Sequence, residues 1–455
     1  MKELGVVVIG AGSASFGRGT IADLMASEEL RGFDLTVRLV DIDKGALNRM
    51  HKLAHLLKEH YRSKAKIEAT TERKEALRGA DYVIVSVARN RWRLWEKDFY
   101  IPAAYGFGQT FGETAGPGAA FHTLRSLHLM IPIAQDMEKL CPDTLLINFT
   151  NPESRVCLGI NKLTRIRSVG LCHGAFETLG AISRVLGKPE EEIDLTIGGI
   201  NHFHWALRIR SRSDGKDLYP QFHERMKQSD WGLHVFIRRM YELFGLLTYP
   251  APSHPGEFVS FGHEIAGPLL LKWGVGDASY RIGAKASEHI YYQEGRSNQP
   301  SYELWSMDQA VRIQRVADGK DPLTEEFTKP TAELAIPIIC DIELNRKRKE
   351  LSVNVPNDNS AISNMPEDAI VEVPAMVDAE GIHPVKVGPL PEALAAICRH
   401  QASIQNLLIE TYRQRSKKLL LHALIIDPIV DSADRAEQMI EDMLKVEEGY
   451  LPELH

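Results

Sequence analysis

An apolar run near the start of the chain, Leu4–Ile9, ends directly in the tripeptide Gly10-Ala11-Gly12. A continuous run of this kind is typical of a strand that is buried on both faces of a parallel sheet. A helical pattern follows, in which Ile21, Leu24 and Met25 share one face. The beginning of the chain is therefore predicted to fold as a strand, a tight glycine turn and a helix.

The same alternation of strands and helices continues over about the first 170–195 residues. Further apolar strands are predicted at 35–40, 82–87, 144–149 and 168–171, with helices near 47–57, 121–140 and 153–163. Such an order implies right-handed crossovers and a doubly wound parallel sheet. We therefore predict an α/β fold of the Rossmann type, like that of lactate and malate dehydrogenases, with a first domain over residues 1–195.

After Gly198-Gly199 the pattern becomes mixed. Trp205–Arg210 alternates as a half-exposed strand does, and Tyr249–Gly267 is rich in Pro and Gly and is predicted to be a long loop. Long loops inside compact domains are often functional. Helices are predicted near 218–246, 300–317, 391–425 and 432–447. Residues 196–455 are predicted to form an α+β domain packed on the first.

Charge and composition exclude several classes of partner. Lys and Arg number 54 against 61 Asp and Glu, a formal net charge of −7. We expect neither nucleic acid nor an anionic membrane as the main partner. No apolar stretch approaches the roughly 18 residues of a membrane span, and Met1-Lys2-Glu3 leaves no room for a secretory signal. Five cysteines are an odd and sparse set for disulfides, so we expect a cytoplasmic protein with reduced thiols.

The first turn has the residues of a dinucleotide site. Gly10 and Gly12 allow a tight turn and a close approach of the backbone to a pyrophosphate, and Ser13 and Ser15 lead into the helix. Asp41 ends the second strand, where its carboxylate can accept hydrogen bonds from an adenosine ribose and repel a 2′-phosphate. These residues favour NAD over NADP. The structural alternative is a glycine turn beside a helix-capping Asp.

A cysteine and a histidine follow predicted strands later in the chain. Cys172 comes directly after the strand 168–171, and His202 lies in the segment Gly199-Ile200-Asn201-His202. A thiolate and an imidazole can share a transition metal, although two ligands are too few for a closed zinc site. An open site would suit Mn²⁺ or a similar ion. The alternative is a buried cysteine with a hydrogen-bonded core histidine.

Six segments stand together in one order: Gly10-x-Gly12-Ser13, Gly112-Glu113-Thr114-Ala115-Gly116-Pro117-Gly118, Asn148-x-Thr150-Asn151-Pro152, Cys172-His173-Gly174, Gly199-Ile200-Asn201-His202, and Val371–Asp378 with Gly381–Pro384. In this order they resemble glycoside hydrolase family 4, the NAD-dependent glycosidases. The resemblance covers about residues 5 to 450, nearly the whole chain. It implies that NAD binds at the first turn, and that Cys172 and His202 bind Mn²⁺, or another divalent ion such as Co²⁺ or Ni²⁺.

The resemblance also implies a mechanism outside the usual two-carboxylate scheme of glycosidases. In that family NAD⁺ takes a hydride from C3 of the sugar, a base removes the C2 proton, and the aglycone leaves from C1. Water then adds and the hydride returns to C3, so no cofactor is consumed. A divalent metal acidifies the sugar hydroxyls, and a dehydrogenase fold places the nicotinamide over the same carbon.

Individual roles follow from the family pattern. Asn151 resembles a ligand of the substrate hydroxyls, and Glu113 a carboxylate that works in acid catalysis. His173 would contact the sugar or donate a proton, and Asn201 would bind sugar or orient the metal ligand. Asn148 is assigned to the cofactor site. The alternatives for Asn151 and Glu113 are a purely structural Asn-Pro turn and a carboxylate that caps a loop.

The base that removes the C2 proton is not settled by the pattern. Some relatives carry a Tyr where this chain has Phe258, which excludes a phenol base at that position. His254, Glu257 and Tyr249 remain candidates in the loop, ranked in that order because an imidazole has a suitable unperturbed pKa. His204 is interpreted as structural.

His173-Gly174 resembles the branches that act on unphosphorylated sugars. The expected substrate is therefore an unphosphorylated α-hexoside or α-hexuronide, hydrolysed by a homodimer or homotetramer. A 2-hydroxy-acid dehydrogenase of the malate or lactate type is the alternative function, since it would share the first domain but would not need Cys172. A catalytically silent NAD-binding redox sensor is a third possibility.

Overall fold

A computed structural model describes residues 1–267 and 301–455 of the 455-residue chain. Its strands form one mixed sheet in the order β3-β2-β1-β4-β5-β6-β9-β10-β7-β8, with β11 paired to β10. The strands are β1 Glu3–Ile9, β2 Asp34–Val40, β3 Lys66–Thr70, β4 Tyr82–Val85, β5 Leu145–Asn148, β6 Ser168–Gly170, β7 Ile193–Ile200, β8 Phe203–Ser211, β9 Arg348–Pro356, β10 Ile370–Asp378 and β11 Gly381–Pro384.

The first six strands are all parallel, which confirms the predicted Rossmann-type sheet. In β1, Val6, Val7 and Val8 are fully buried, as expected for a strand covered on both faces. The predicted strands agree with the observed ones to within two residues. The pattern missed β3, whose residues alternate charged and apolar at the edge of the sheet and are only partly buried.

The second half extends this sheet instead of forming a separate one. β6 pairs with β9 in the antiparallel direction, and β10, β7 and β8 continue the antiparallel part. The predicted strand Trp205–Arg210 lies within β8. The domain boundary near residue 195 stays a prediction, because β7 begins at Ile193 and joins this common sheet.

Helices cover the sheet and connect its strands. They are α1 Phe16–Ala26, α2 Lys44–Tyr61, α3 Arg73–Leu77, α4 Arg91–Ala104, α5 Gly116–Leu140, α6 Glu153–Leu163, α7 Gly174–Leu186, α8 Tyr219–Met226, α9 Val235–Phe244, α10 Gly262–Ala266, α11 Ser301–Ala317, α12 Glu325–Thr328, α13 Ala335–Glu343, α14 Glu392–Gln414, α15 Lys417–Ile425 and α16 Ala433–Val446. Within the described ranges, none of these helices has the length and apolar character needed to span a membrane.

Two predicted helices are divided. The pattern at 218–246 is two helices, α8 and α9. The pattern at 391–425 breaks after α14, where Arg415 adopts a left-handed φ of 56° and the Ser416 hydroxyl caps the next helix by accepting a hydrogen bond from the Leu419 N–H. Periodicity alone missed this break because the apolar spacing continues across it. The Tyr249–Gly267 segment is a loop as predicted, but it contains a short 3-10 turn at Pro255–Glu257 and the helical turn α10.

Parallel strands bring their carboxyl ends to one edge of a sheet, where ligands bind in folds of this class. Gly10 follows β1, Asn151 follows β5 and Cys172 follows β6. This edge therefore collects the predicted site residues of the first half of the chain.

Candidate active site

The turn after β1 is held by the backbone and by Asp41. The Gly10 N–H donates to the Val40 carbonyl oxygen at 2.9 Å, and the Gly12 N–H donates to Asp41 Oδ2 at 2.9 Å. Gly10 has a φ of 88°, and a side chain there would collide with the carbonyl of Ser86. Glycine is required at this turn because of its positive φ and because another strand lies so close.

A cleft of about 650 Å³ opens at this turn. Its walls include Gly10, Ser13, Ser15 and Asp41, the residues predicted to bind a dinucleotide. The same cleft reaches the predicted substrate residues Glu113 and Asn151, together with Arg91 and His122. The structure thus brings part of the predicted cofactor site together with Glu113 and Asn151 in one cleft, whereas His173, Asn201, Cys172, His202 and His254 do not line it.

Asn148 is not part of that wall. Its side chain is fully buried, where its Oδ1 accepts the Thr150 N–H at 3.0 Å and its Nδ2 donates to the Thr150 carbonyl at 3.2 Å. The assignment of Asn148 to the cofactor site stays a prediction. Asn148 shapes the turn that presents Asn151.

Cys172 and His202 face each other, as predicted for a pair of metal ligands. The Cys172 Sγ atom lies 3.2 Å from His202 Nε2, and the Gly174 N–H at the start of α7 points at the same sulfur at 3.4 Å. Burial and the nearby Glu372 carboxylate raise the pKa of the Cys172 thiol well above its usual value. A bound cation would offset these effects and favour the thiolate.

The backbone places His202 in the turn between β7 and β8, with a φ of 64° that few non-glycine residues adopt. Burial lowers the pKa of His202 to about 4, so the imidazole is neutral near pH 7, the form that binds metals. The buried His202 Nδ1 atom has no hydrogen-bond partner among the described residues, and the Asn201 side chain interacts with the Cys172 thiol. Among the described residues, no group of three or more His, Cys, Asp or Glu side chains is arranged to hold a metal.

Glu113 and Asn151 form a second polar pair. The Asn151 Nδ2 atom donates to Glu113 Oε1 at 3.4 Å, and an Arg91 nitrogen lies 3.3 Å from the same oxygen. Burial raises the pKa of Glu113, while Arg91 and Asn151 oppose that rise. A buried carboxyl with a raised pKa is suited to donate a proton near neutral pH.

Three rings from the second part of the chain stack together. The His254 ring centroid lies 4.2 Å from that of His202 and 5.8 Å from that of Tyr249, and the His254 Nδ1 atom is buried with no hydrogen-bond partner among the described residues. Burial and His202 lower the pKa of His254 well below its usual range, which keeps the ring neutral. The Tyr249 hydroxyl donates to Glu177 at 3.4 Å, and burial raises the pKa of this phenol far above its usual value.

Glu257 is fully buried and does not line the cleft at the glycine turn. Its carboxylate accepts hydrogen bonds from the backbone of the segment 111–115 and from the Thr114 hydroxyl. Burial raises the pKa of Glu257 to about 7, and the bonds from Thr114 and Gly112 oppose that rise. Both oxygens of this candidate base are thus occupied by donors of the protein itself.

His173 and His204 flank the cysteine region. His173 is half exposed, stacks on Phe176 with 5.3 Å between ring centroids, and has Nδ1 3.9 Å from Glu333. His204 is fully buried with both ring nitrogens engaged, Nδ1 with Glu372 at 3.0 Å and Nε2 with Thr178 at 2.8 Å. Its structural interpretation therefore agrees with the geometry, because no ring nitrogen is left for a metal.

Sequence reasoning missed the residues that support the site from a distance. Glu372 is 168 positions away from His204, and no local pattern connects the two. Arg91 lies 22 positions before Glu113 at the start of α4, where its charge is indistinguishable from that of a surface arginine. The position of Glu372 within the family-like segment Val371–Asp378 was the only available signal.

Comparisons with known proteins identify relatives along nearly the whole chain. The sequence is 30% identical to an alpha-galactosidase of Bacillus subtilis, covering 98% of this chain and 99% of the relative. It is 27% identical to an alpha-glucosidase of Erwinia rhapontici, covering 98% of each, and 27% identical to an alpha-galacturonidase of Thermoanaerobacterium saccharolyticum, covering 99% and 97%.

Solved structures share the fold. A putative glucosidase of Bacillus subtilis superposes with a TM-score of 0.82 at 23% identity, covering 98% of this chain and 100% of the other. A 6-phospho-alpha-glucosidase from gut microorganisms, solved in complex with NAD and Mn²⁺, has a TM-score of 0.80 at 20% identity and full coverage of both chains. The sequence profile of the family 4 glycosyl hydrolases matches residues 5–188, and that of their C-terminal domain matches residues 197–430. The chain therefore belongs to family 4 of the glycosyl hydrolases and is a glycosidase.

Proposed function

We propose that this enzyme hydrolyses an unphosphorylated α-hexoside or α-hexuronide with the help of NAD⁺ and a divalent metal ion such as Mn²⁺. The observation that carries the proposal is the Cys172–His202 pair, whose ligand atoms face each other 3.2 Å apart. The pair stands beside His254, and the loop that carries His254 is joined to the loop of Glu113 in the cleft.

The donor atoms fit a divalent ion. A thiolate and a neutral imidazole are both ligands of divalent transition metals, so Cys172 and His202 would hold the ion and leave further positions for substrate oxygens and water. The Asn201 side chain, which interacts with the Cys172 thiol, lies where it could orient the pair or bind a sugar hydroxyl.

The glycine turn fits a dinucleotide. Ser13 and Ser15 line the cleft where α1 begins, and N–H groups at a helix start attract phosphates. Asp41 Oδ1 and Oδ2 each accept one backbone N–H, from Asp43 and Gly12, and a carboxylate has further acceptor positions for ribose hydroxyls. NAD⁺ bound here would supply the hydride acceptor for the sugar, and the ion held by Cys172 and His202 would polarise the sugar oxygens.

The remaining roles fall to side chains of this chain. Asn151 holds a sugar hydroxyl while His254 takes the C2 proton through a neutral ring nitrogen. Glu113, whose pKa is raised by burial, gives its proton to the leaving oxygen at C1. His173 is assigned to the sugar at the half-exposed rim of the site. These assignments follow the family pattern and the positions described above.

The substrate class rests on two supports. The relatives at 27–30% identity named above carry the names of α-glycosidases for glucosides, galactosides and galacturonides. His173-Gly174 resembles the branches that act on unphosphorylated sugars. We further propose that the enzyme works as a homodimer or homotetramer.

A panel of p-nitrophenyl α-glycosides and α-uronides, assayed with NAD⁺, Mn²⁺ and a reductant, tests the proposal. We expect free sugar to be released with no net change in NADH absorbance, and no release when NAD⁺ is omitted or a chelator is added. Steady accumulation of NADH with a 2-hydroxy acid, and no cleavage of any glycoside, would contradict it.

A further inference from the structure

Five consecutive peptide N–H groups converge on one buried carboxylate. Glu257 Oε1 accepts from Phe111 at 3.2 Å and from Gly112, and Oε2 accepts from Glu113 at 3.2 Å, Thr114 at 2.7 Å and Ala115 at 3.2 Å. The Thr114 hydroxyl adds a sixth bond at 2.9 Å. Successive N–H groups that curl around one anion form a concave anion-binding site, and here the anion is a side chain of the protein itself.

The surroundings act on the Glu257 carboxylate in two directions. Burial raises its pKa to about 7, whereas the segment 111–115 runs directly into α5, whose N-terminal dipole attracts anions. The fully buried Arg155 also interacts electrostatically with Glu257, and its Nε and one terminal nitrogen have no hydrogen-bond partner among the described residues. Thr110 donates to the Ser253 carbonyl at 2.7 Å, so a direct bond also joins the two loops.

Glu113 is the central residue of this segment. Its N–H is bound by Glu257, while its side chain reaches Arg91 and Asn151 in the cleft. The position of the Glu113 carboxylate is thus set by the backbone that Glu257 holds. Glu257 has both oxygens occupied by these donors, which leaves it no free acceptor to take a substrate proton.

We propose that Glu257 is a positioning residue, which anchors the segment 111–115 so that the Glu113 carboxyl faces Asn151 and the substrate. The effect of this anchor on catalysis rests on the proposed function. The anchoring of the segment 111–115 by Glu257 does not depend on it. In this proposal Glu257 is no longer a candidate for the base that removes the C2 proton. It instead holds the backbone that carries Glu113, the candidate acid.

Glu257→Gln tests the anchor without any substrate, because the amide keeps the shape but replaces one acceptor oxygen by a donor. Hydrogen exchange of a peptide spanning 107–116 should become roughly 10- to 100-fold faster, as loss of bonds to a charged acceptor implies. The matched control is Glu264→Gln, which removes an exposed carboxylate seven residues further on and should leave the exchange unchanged. Unchanged exchange in Glu257→Gln would overturn the proposal whether or not the enzyme cleaves a glycoside.

The effect of Glu257→Gln on turnover shows whether Glu257 acts through Glu113 or has a catalytic role of its own. With an active substrate, Glu257→Gln should lower kcat about 10- to 100-fold while metal content and NAD affinity stay near those of the wild type. In a Glu113→Gln background the same change should cost less than about threefold, because residues that act through one another are not additive. A full additional loss in the double variant would overturn the proposal.

A milder variant covers the case in which Glu257→Gln does not fold. Thr114→Val removes only the hydroxyl donor to Glu257 and keeps the branched shape. We expect a smaller acceleration of exchange in the same peptide and a smaller fall in kcat. Thr114→Val with unchanged exchange in that peptide would count against the anchor.

Discussion

Cys172 Sγ and His202 Nε2 lie 3.2 Å apart, although 30 residues separate them along the chain. The contact joins the end of a parallel strand, β6, to the turn between two antiparallel strands, β7 and β8. It therefore lies where the two parts of the mixed sheet meet. In the proposed function these two side chains would bind the metal ion and leave its other coordination positions to the substrate.

Replacing Cys172 by Ser tests the metal site. The hydroxyl is a poor ligand for the same ion, so we expect Cys172→Ser to lose both bound metal and activity. NAD affinity and the melting temperature should remain close to those of the wild type, since Cys172 does not line the cleft at the glycine turn and serine keeps nearly the same shape. Metal analysis, calorimetric NAD titration and thermal unfolding measure these three quantities. Near-normal turnover in Cys172→Ser would rule out the metal role.

Removal of the Asp41 carboxylate tests the nucleotide site. Asp41→Ala should weaken NAD binding by about 1.5–3 kcal/mol, the usual value of hydrogen bonds to a charged group. Discrimination against NADP should fall as well, because the repulsion of a 2′-phosphate is lost.

The variant also loses the bond from the Gly12 N–H, so its melting temperature must be measured alongside. If affinity for both cofactors is unchanged, the adenosine binds elsewhere.

His254→Ala tests the base. A general base contributes about 10²–10⁴-fold, so kcat should fall within that range while metal content changes little. His60→Ala, at an exposed position of α2, is the matched control and should leave both kcat and metal content unchanged. A loss of less than about threefold in His254→Ala would move the role to another group, with Tyr249 the next candidate.

The pH profile tests Glu113 as the acid. Burial raises the pKa of its carboxyl, so the protonated form persists to higher pH than in an exposed Glu. An acid must be protonated to act, and activity should therefore fall as pH rises through this pKa. In Glu113→Gln this alkaline limb should disappear and kcat should be about 10²–10⁴-fold lower. Retention of the limb in the variant would assign it to a different group.

Local sequence patterns were sufficient to predict most strands and helices and some of the residues of the candidate site. Gly10, Gly12 and Asp41 could be placed because strand, turn and strand are adjacent in sequence and their geometry recurs in parallel sheets. Cys172 could be placed at the sheet edge for the same reason. These are contacts that a short stretch of chain determines by itself.

Other features depend on packing between distant segments. The Glu257 carboxylate accepts hydrogen bonds from N–H groups up to 146 residues earlier in the chain. In the sequence, a glutamate in a Pro-rich loop cannot be distinguished from one whose carboxylate has no such partners. Asn148, which is predicted to lie at the cofactor, is buried under the turn that it shapes. The extension of the parallel sheet by β9, β10 and β7 likewise depends on pairings between segments far apart in the chain.

Deuterium incorporation at C2 tests the central claim, that NAD-dependent chemistry at C3 and C2 leads to hydrolysis. Wild-type enzyme should be run to completion in deuterated water with NAD⁺, Mn²⁺ and the best glycoside of the panel, and the product sugar analysed by NMR. The account predicts a product that carries solvent deuterium at C2, because the base gives up the abstracted proton to solvent before C2 is reprotonated. A hydrolysed product with only protium at C2 would contradict the mechanism, whatever the variants show.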